Sequence, residues 1–228
     1  MSEPYYQNDQ VTLYHGDCLE VTEWLAADVL VSDPPYGRNW RQGRLSGHTS
    51  TSVGRAGIAN DKDTSVRDAA LDQWDGPAII FGDLMLAPPA GTILTGVYQK
   101  HPTCGFRGAR GGLRRDAEAI YLLGSWPSGL GGRSSVFTSR RMIAGARGAV
   151  ADAGGHPHTK PGDVMEQLIE LCPPGVIADP FAGGGSTLVA ARNLGRKAIG
   201  VELEERYCEI AARRLDQMCL DFGTEVGK

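Results

Sequence analysis

Between residues 175 and 202 the chain reads strand, glycine loop, helix, strand, acid. Gly175-Val176-Ile177-Ala178-Asp179 is apolar but too short for a helix, so it reads as a buried strand. Pro180-Phe181-Ala182-Gly183-Gly184-Gly185-Ser186-Thr187 follows, then a helical stretch to about Leu194. A second strand, Arg196 to Glu202, ends in a carboxylate. This βαβ order commits the chain to an α/β sheet whose ligands sit at the strands' carboxyl ends. Three consecutive glycines let the backbone approach such a ligand closely.

The loop narrows the ligand. A phosphate-gripping P-loop needs a Lys before the Ser/Thr, and Gly185 stands there instead. A dinucleotide site needs GxGxxG, and Thr187 and Leu188 break that spacing. A nucleoside cofactor without phosphates fits best, with Glu202, 17 residues past Gly185, placed to accept ribose hydroxyls. Carboxylates with no basic residue in the loop suit the cationic sulfonium of S-adenosylmethionine.

A second motif lies upstream. The apolar run Asp28-Val29-Leu30-Val31 leads into Ser32-Asp33-Pro34-Pro35-Tyr36-Gly37. Two prolines remove two backbone donors and hold the chain extended. Asp33 therefore sits in a rigid turn at a strand's end, followed by an aromatic ring. Carboxylate, acceptor-only backbone and flat ring together suit a planar heterocycle bearing an amino group. An ordinary proline turn is the simpler alternative.

The 228 residues, 41% of them hydrophobic, allow one large α/β domain. No apolar run reaches the roughly 20 residues of a membrane span, and the start lacks a signal pattern. Five widely spaced cysteines with no CxxC pair indicate neither zinc nor a disulfide framework. The expectation is a cytoplasmic protein with reduced thiols, no metal and no membrane partner. Net charge is −4, yet arginine gathers in two acid-poor stretches. Arg38, Arg41 and Arg44 lie in the first; Arg107, Arg110, Arg114, Arg140 and Arg141 lie in the second. Arginine's planar fork favours phosphate or base contacts, though solvated surface charge is the plainer reading.

Eight further segments read as secondary structure around these motifs. Val11–Tyr14, Ala78–Phe81, Gly91–Tyr98 and Glu118–Leu123 read as strands, making seven in all. Leu19–Ala26, Ser65–Trp74, Asp163–Cys172 and Glu204–Met218 read as helices. Residues 38–63 read as a mobile loop, and 101–155 as Arg/Gly-rich insertions on the sheet. Trp40 and Trp126, in basic loops, could wedge into DNA or pack inward.

The Asp33–Tyr36 turn, the Gly16-Asp17 acid, the His156–Pro161 lead-in and the Phe181–Gly185 loop together resemble the amino-group DNA methyltransferases. These modify adenine N6 or cytosine N4. The order, catalytic turn first and cofactor loop last, is similar to the family's β group, whose Rossmann-like seven-stranded sheet is circularly permuted. The resemblance covers roughly residues 11–100 and 156–219.

It implies S-adenosylmethionine as cofactor and double-stranded DNA as partner, with the target base flipped out. Asp33 and the Pro34 carbonyl would accept the amino hydrogens, with Pro35 holding the turn and Tyr36 stacking on the base. The cofactor would lie along Asp179, Pro180, Phe181, Ala182, Gly183, Gly184, Gly185, Ser186 and Thr187. Glu202 would bind its ribose, Asp17 would face its adenine edge, and Thr159 and Lys160 would lie near its methionine carboxylate, with Cys18, Asp33 and Leu203 also at the cofactor; Lys160 reads equally as a surface charge. The arginines named above would hold DNA. Adenine N6 is the expected target, because the DPPY form is commoner for adenine. Cytosine N4, a non-catalytic DNA-binding partner subunit, and RNA or protein amide methylation are the alternatives. The recognition site, a homodimer and a cognate restriction enzyme in a prokaryotic or phage setting stay open.

Overall fold

A computed structural model describes residues 2–39, 57–100, 109–127, 131–139 and 159–217. Among the described residues, nine strands form one sheet: β1 (Tyr6–Gln7), β2 (Val11–His15), β3 (Val29–Ser32), β4 (Ala78–Gly82), β5 (Thr92–Gln99), β6 (Ala117–Leu123), β7 (Val136–Thr138), β8 (Ile177–Asp179) and β9 (Ala198–Glu202). Their order across the sheet is β1-β2-β9-β8-β3-β4-β6-β5-β7. The seven expected strands are its centre. The two additions, β1 and β7, are edge strands of two and three residues, too short to show a period.

Strands β2, β9, β8, β3 and β4 run parallel. β6 is antiparallel to both β4 and β5. Chain order runs outward from the middle in both directions: β3 leads to β4 on one side, β8 to β9 on the other. The switch point therefore falls between β3 and β8, where an open α/β sheet forms its ligand crevice. The loops at that point are Asp33–Gly37 and Pro180–Gly185, 147 residues apart at Ser32 and Asp179 yet side by side. This is the permuted Rossmann-like arrangement, with the glycine loop late in the chain.

Alternation sends successive side chains to opposite faces. Val29, Val31, Ile79 and Phe81 pack on one face with Val164, Leu168, Leu188, Ala211 and Leu215. These come from helices α2 (Gly162–Ile169), α3 (Ser186–Asn193) and α4 (Glu205–Asp216). Leu30, Ile80, Ala178 and Val201 fill the other face with Trp24 and with Ala70 of helix α1 (Ser65–Leu71). Burying apolar residues on both faces, at roughly 25 cal/mol per Å², explains why the central strands lack polar alternation.

Several boundaries differ from expectation. Leu19–Ala26 forms only a four-residue 3₁₀ turn, Glu23–Ala26. Asp17 closes the preceding turn, its carbonyl accepting the Glu20 and Val21 amides at 2.9 and 2.8 Å. On α4 the buried residues are Cys208, Ala211 and Leu215, with Tyr207 and Ile210 half-buried. Trp126, half-buried, packs against the core and donates its indole N–H to the Leu123 carbonyl at 2.9 Å, the inward of its two readings. Trp40 lies outside the described residues, as does most of the 38–63 loop. The end of that loop is fastened: Asp61, 4% exposed, accepts the Gly37 and Arg38 amides at 2.8 and 3.1 Å. Among the described residues no helix is long and apolar enough to cross a membrane.

Candidate active site at the sheet switch point

Each of the five parallel strands delivers an acid to one edge of the sheet. Asp17 follows β2, Glu202 ends β9, Asp179 ends β8, Asp33 follows β3 and Asp83 follows β4. Glu118, at the start of antiparallel β6, joins the same edge, because Gly82 pairs with its neighbour Ala119.

Asp33 is held from two sides. The Tyr36 hydroxyl donates to Asp33 Oδ1 at 2.7 Å, and Lys160 Nζ donates to Oδ2 at 2.5 Å. Lys160 also donates to Tyr36 Oη at 3.1 Å and lies 3.3 Å from Glu118 Oε2. Its ammonium stands 4.9 Å from the centre of the Phe81 ring and is only 8% exposed, so it is no surface charge. Burial works against that charge, but Asp33 and Glu118 outweigh it and raise the lysine pKa above its ordinary value. Burial opposes ionisation of Glu118 too, yet Lys160 and Lys100 hold its carboxyl down at about 2. Burial, then the charges of Asp33 and Glu118, push the Tyr36 phenol well up, so it stays a donor.

The glycine loop is braced from below. Asp179, 2% exposed, accepts Ser32 Oγ at 2.6 Å and the Phe181 amide at 3.1 Å. Burial raises its carboxyl to about 7 despite hydrogen bonds from Ser32 and Thr187. Glu202 accepts the Gly183 amide at 2.7 Å through Oε2 and the Glu204 amide at 2.7 Å through Oε1. It therefore sets the loop's shape, and each oxygen keeps accepting capacity for a hydroxyl. Burial raises its pKa, against those two amides. Gly185 has φ +77°, and a Cβ there would stand 2.8 Å from the Ala211 Cβ.

The expected site residues divide by exposure. Asp17, Asp33, Tyr36, Thr159, Phe181 and Gly183 are half-buried, and Leu203 is 40% exposed. Cys18, Pro34, Asp179, Pro180, Ala182, Gly184, Gly185, Ser186 and Thr187 are buried. The Cys18 thiol is pushed up to about 12, first by burial and then by Asp17, and its carbonyl accepts the Trp24 indole at 2.9 Å. Arg214, missed from sequence because it lies on α4, donates to the Gly184 carbonyl. Glu118 was also missed; an isolated acid at a strand's start carries no local signal. Of the arginines, Arg38 pairs with Asp83 and Arg114 with Asp116, at 3.4 Å, and Arg110 is exposed. Arg41, Arg44, Arg107, Arg140 and Arg141 lie outside the described residues. No group of three potential metal ligands occurs among the described residues.

A family model described as DNA methylase, of the N6/N4 type, matches residues 125–213. "Putative methylase YubD" of Escherichia coli (strain K12) is 30% identical over 88% of this chain and 88% of its own length. The chain belongs to the N6/N4 amino DNA methylase family. Type II methyltransferase M.ScaI of Streptomyces caespitosus is 28% identical over 95% of this chain and 84% of its own length. Among solved structures, the PvuII DNA methyltransferase (cytosine-N4-specific) has a TM-score of 0.64 at 17% identity, covering 96% of this chain and 91% of its own. The M1.HpyAVI–SAM complex has a TM-score of 0.60 at 19% identity, covering 90% and 100%. Both carry the same fold. The donor set agrees with the family's cofactor, S-adenosylmethionine: a row of carboxylates beside a half-buried phenyl ring suits a cationic nucleoside.

Proposed function

We propose that this methylase transfers a methyl group to the exocyclic amino nitrogen of a base flipped out of duplex DNA, with adenine N6 as the target. The observation that carries the reading is the convergence of the rigid Asp33–Tyr36 turn and the Phe181–Gly185 loop at the sheet's switch point. Phe181, Gly183, Glu202, Leu203 and Asp17 would hold the cofactor, with Thr159 and Lys160 toward its carboxylate end. S-Adenosylmethionine supplies an electrophilic methyl group on a sulfonium.

The chain's own residues prepare the nucleophile. An amino lone pair delocalised into a heterocycle attacks poorly. The Asp33 carboxylate and the Pro34 carbonyl accept its two hydrogens, pull the nitrogen toward tetrahedral geometry and localise the pair. Pro34 and Pro35 keep that acceptor pair rigid, so little reorganisation accompanies the attack. The Tyr36 ring supports the extruded base, whose unstacking costs roughly a few kcal/mol. Arginines of the 38–63 and 101–155 segments would offset that cost through backbone phosphates.

The DPPY form of the turn favours adenine; cytosine N4, the specificity named for the PvuII enzyme, is the alternative. Purified protein, labelled cofactor and duplex DNA, RNA or protein substrates test the assignment, followed by nucleoside analysis of the product. Expected are N6-methyladenine in DNA and its loss in Asp33→Ala. Normal methylation by Asp33→Ala would reject the mechanism, and N4-methylcytosine would reject the base.

A further inference from the structure

The carboxylate that must receive the base is already engaged. Tyr36 occupies one Asp33 oxygen and the buried Lys160 ammonium the other. Each oxygen keeps a second lone pair, but the ammonium on Oδ2 neutralises the charge that the base's amino group needs, so base capture is favoured when Lys160 moves off Asp33. A buried ammonium that loses its counter-ion is strongly destabilised, so Lys160 can leave Asp33 only for another carboxylate. Glu118 stands there, its Oε2 3.3 Å from Lys160 Nζ and 3.4 Å from Tyr36 Oη. Its other oxygen is gripped by Lys100. Glu118 is thus fixed in place, lies within reach of both groups that cover Asp33, and keeps one oxygen turned toward them.

We infer that Glu118 is a positioning residue for base capture: it takes over Lys160 when Asp33 passes to the amino group of the target base. The inference rests on the reading of Asp33 as the base's acceptor. Lys160 then acts as a latch. With the base absent it neutralises Asp33 and covers the acceptor oxygen. With the base present it shifts toward Glu118 without entering solvent, and Phe81 and Tyr36 still border it. No proton needs to move, because the ammonium keeps its charge and exchanges one carboxylate partner for another. Sequence separation hid this arrangement: Lys160 is 127 residues from Asp33, and Glu118 is 82 from Tyr36.

The test is a double-mutant cycle on methyl transfer to duplex DNA, with wild type and Asp33→Ala as controls. Glu118→Gln leaves Lys160 with Asp33 as its sole full counter-charge, so kcat should fall on the order of tenfold or more, the effect of about one pKa unit of differential interaction. Cofactor affinity, measured by titration calorimetry, should stay within about twofold, an effect under 0.5 kcal/mol. In a Lys160→Met background the further change to Gln should cost little, because the residue it acts through is gone. Glu118→Asp, which keeps the charge, should recover part of the rate, and it serves as the probe if the Gln variant misfolds. Glu118→Gln with wild-type kcat overturns the inference. So does an equal loss with and without Lys160. Active Asp33→Ala, or a wild-type protein that methylates no DNA, removes the underlying reading instead.

Discussion

Replacing Asp179 by Asn should make the protein more stable, and increasingly so as pH rises. Asp179 is 2% exposed, and burial raises its carboxyl from 3.8 to about 7. The folded chain therefore keeps a proton that the unfolded chain has already released. Wherever the folded state binds more protons, stability falls as pH rises. The wild type should thus lose stability between about pH 4 and about pH 7 through this one group. A shift of this size corresponds to about 4 kcal/mol as an upper bound, and roughly 3 kcal/mol of it falls between pH 5 and pH 8.

Asn removes the titration and keeps the contacts. Its Oδ1 still accepts Ser32 Oγ and the Phe181 amide, and its NH₂ replaces the oxygen near Thr187. All other titrating groups are common to the two proteins and cancel in the difference. Urea unfolding of the cofactor-free protein at pH 5 and pH 8 measures it. At about 1–3 kcal/mol per M urea, the gap between midpoints should widen by on the order of 1 M from pH 5 to pH 8. Parallel curves for the two proteins across that range, or an Asn variant weaker at pH 8, would refute the reasoning.

Gly185→Ala should destabilise by about 1–3 kcal/mol, since φ is +77° and the new Cβ meets Ala211 at 2.8 Å. Gly195→Ala, at φ +68° but facing open space, should cost only the backbone conformation, about 1 kcal/mol; equal urea midpoints for the two would sink the packing argument. Lys160→Met should move acid unfolding to higher pH: Glu118, held down at about 2, contributes stability above 4.5 that fades as pH falls toward 2, and the variant removes one of the two lysines responsible, leaving Lys100. Tryptophan fluorescence during acid titration reads that midpoint. Cys18, Cys172 and Cys208 are buried, with thiols at about 12, so a Cys104→Ser/Cys219→Ser protein should show no fast reaction with a thiol reagent before unfolding. Exchanging segments 38–60 and 102–155 with those of a relative of different specificity should transfer the recognition site; an unchanged methylation pattern would place recognition elsewhere.

Local signals in the chain were enough for the strands, the turn and the loop. The apolar runs at Val29–Val31, Ala78–Phe81 and Ile177–Ala178 are short and buried on both faces, which leaves a parallel strand as their best state. Pro34 and Pro35 dictate their own rigidity, and three glycines announce a close backbone approach, because those properties belong to the residues themselves. Asp17 after β2, Asp33 after β3 and Glu202 at the end of β9 were visible for the same reason: each ends a recognisable strand or lies within two residues of one.

Tertiary structure alone decided how those pieces meet. Lys160 read equally as a cofactor contact or a surface charge; only the folding of α2 against the sheet buries it between Asp33 and Glu118. Asp179 read as a ligand contact, and the pairing of β8 with β3 turned it into a buried bracket on Ser32. Glu118 carried no signal, since its role comes from antiparallel pairing beside β4. Backbone conformation is set by neighbours in sequence, whereas the charge state and purpose of an ionisable side chain are set by neighbours in space, and those are known only once the sheet has closed.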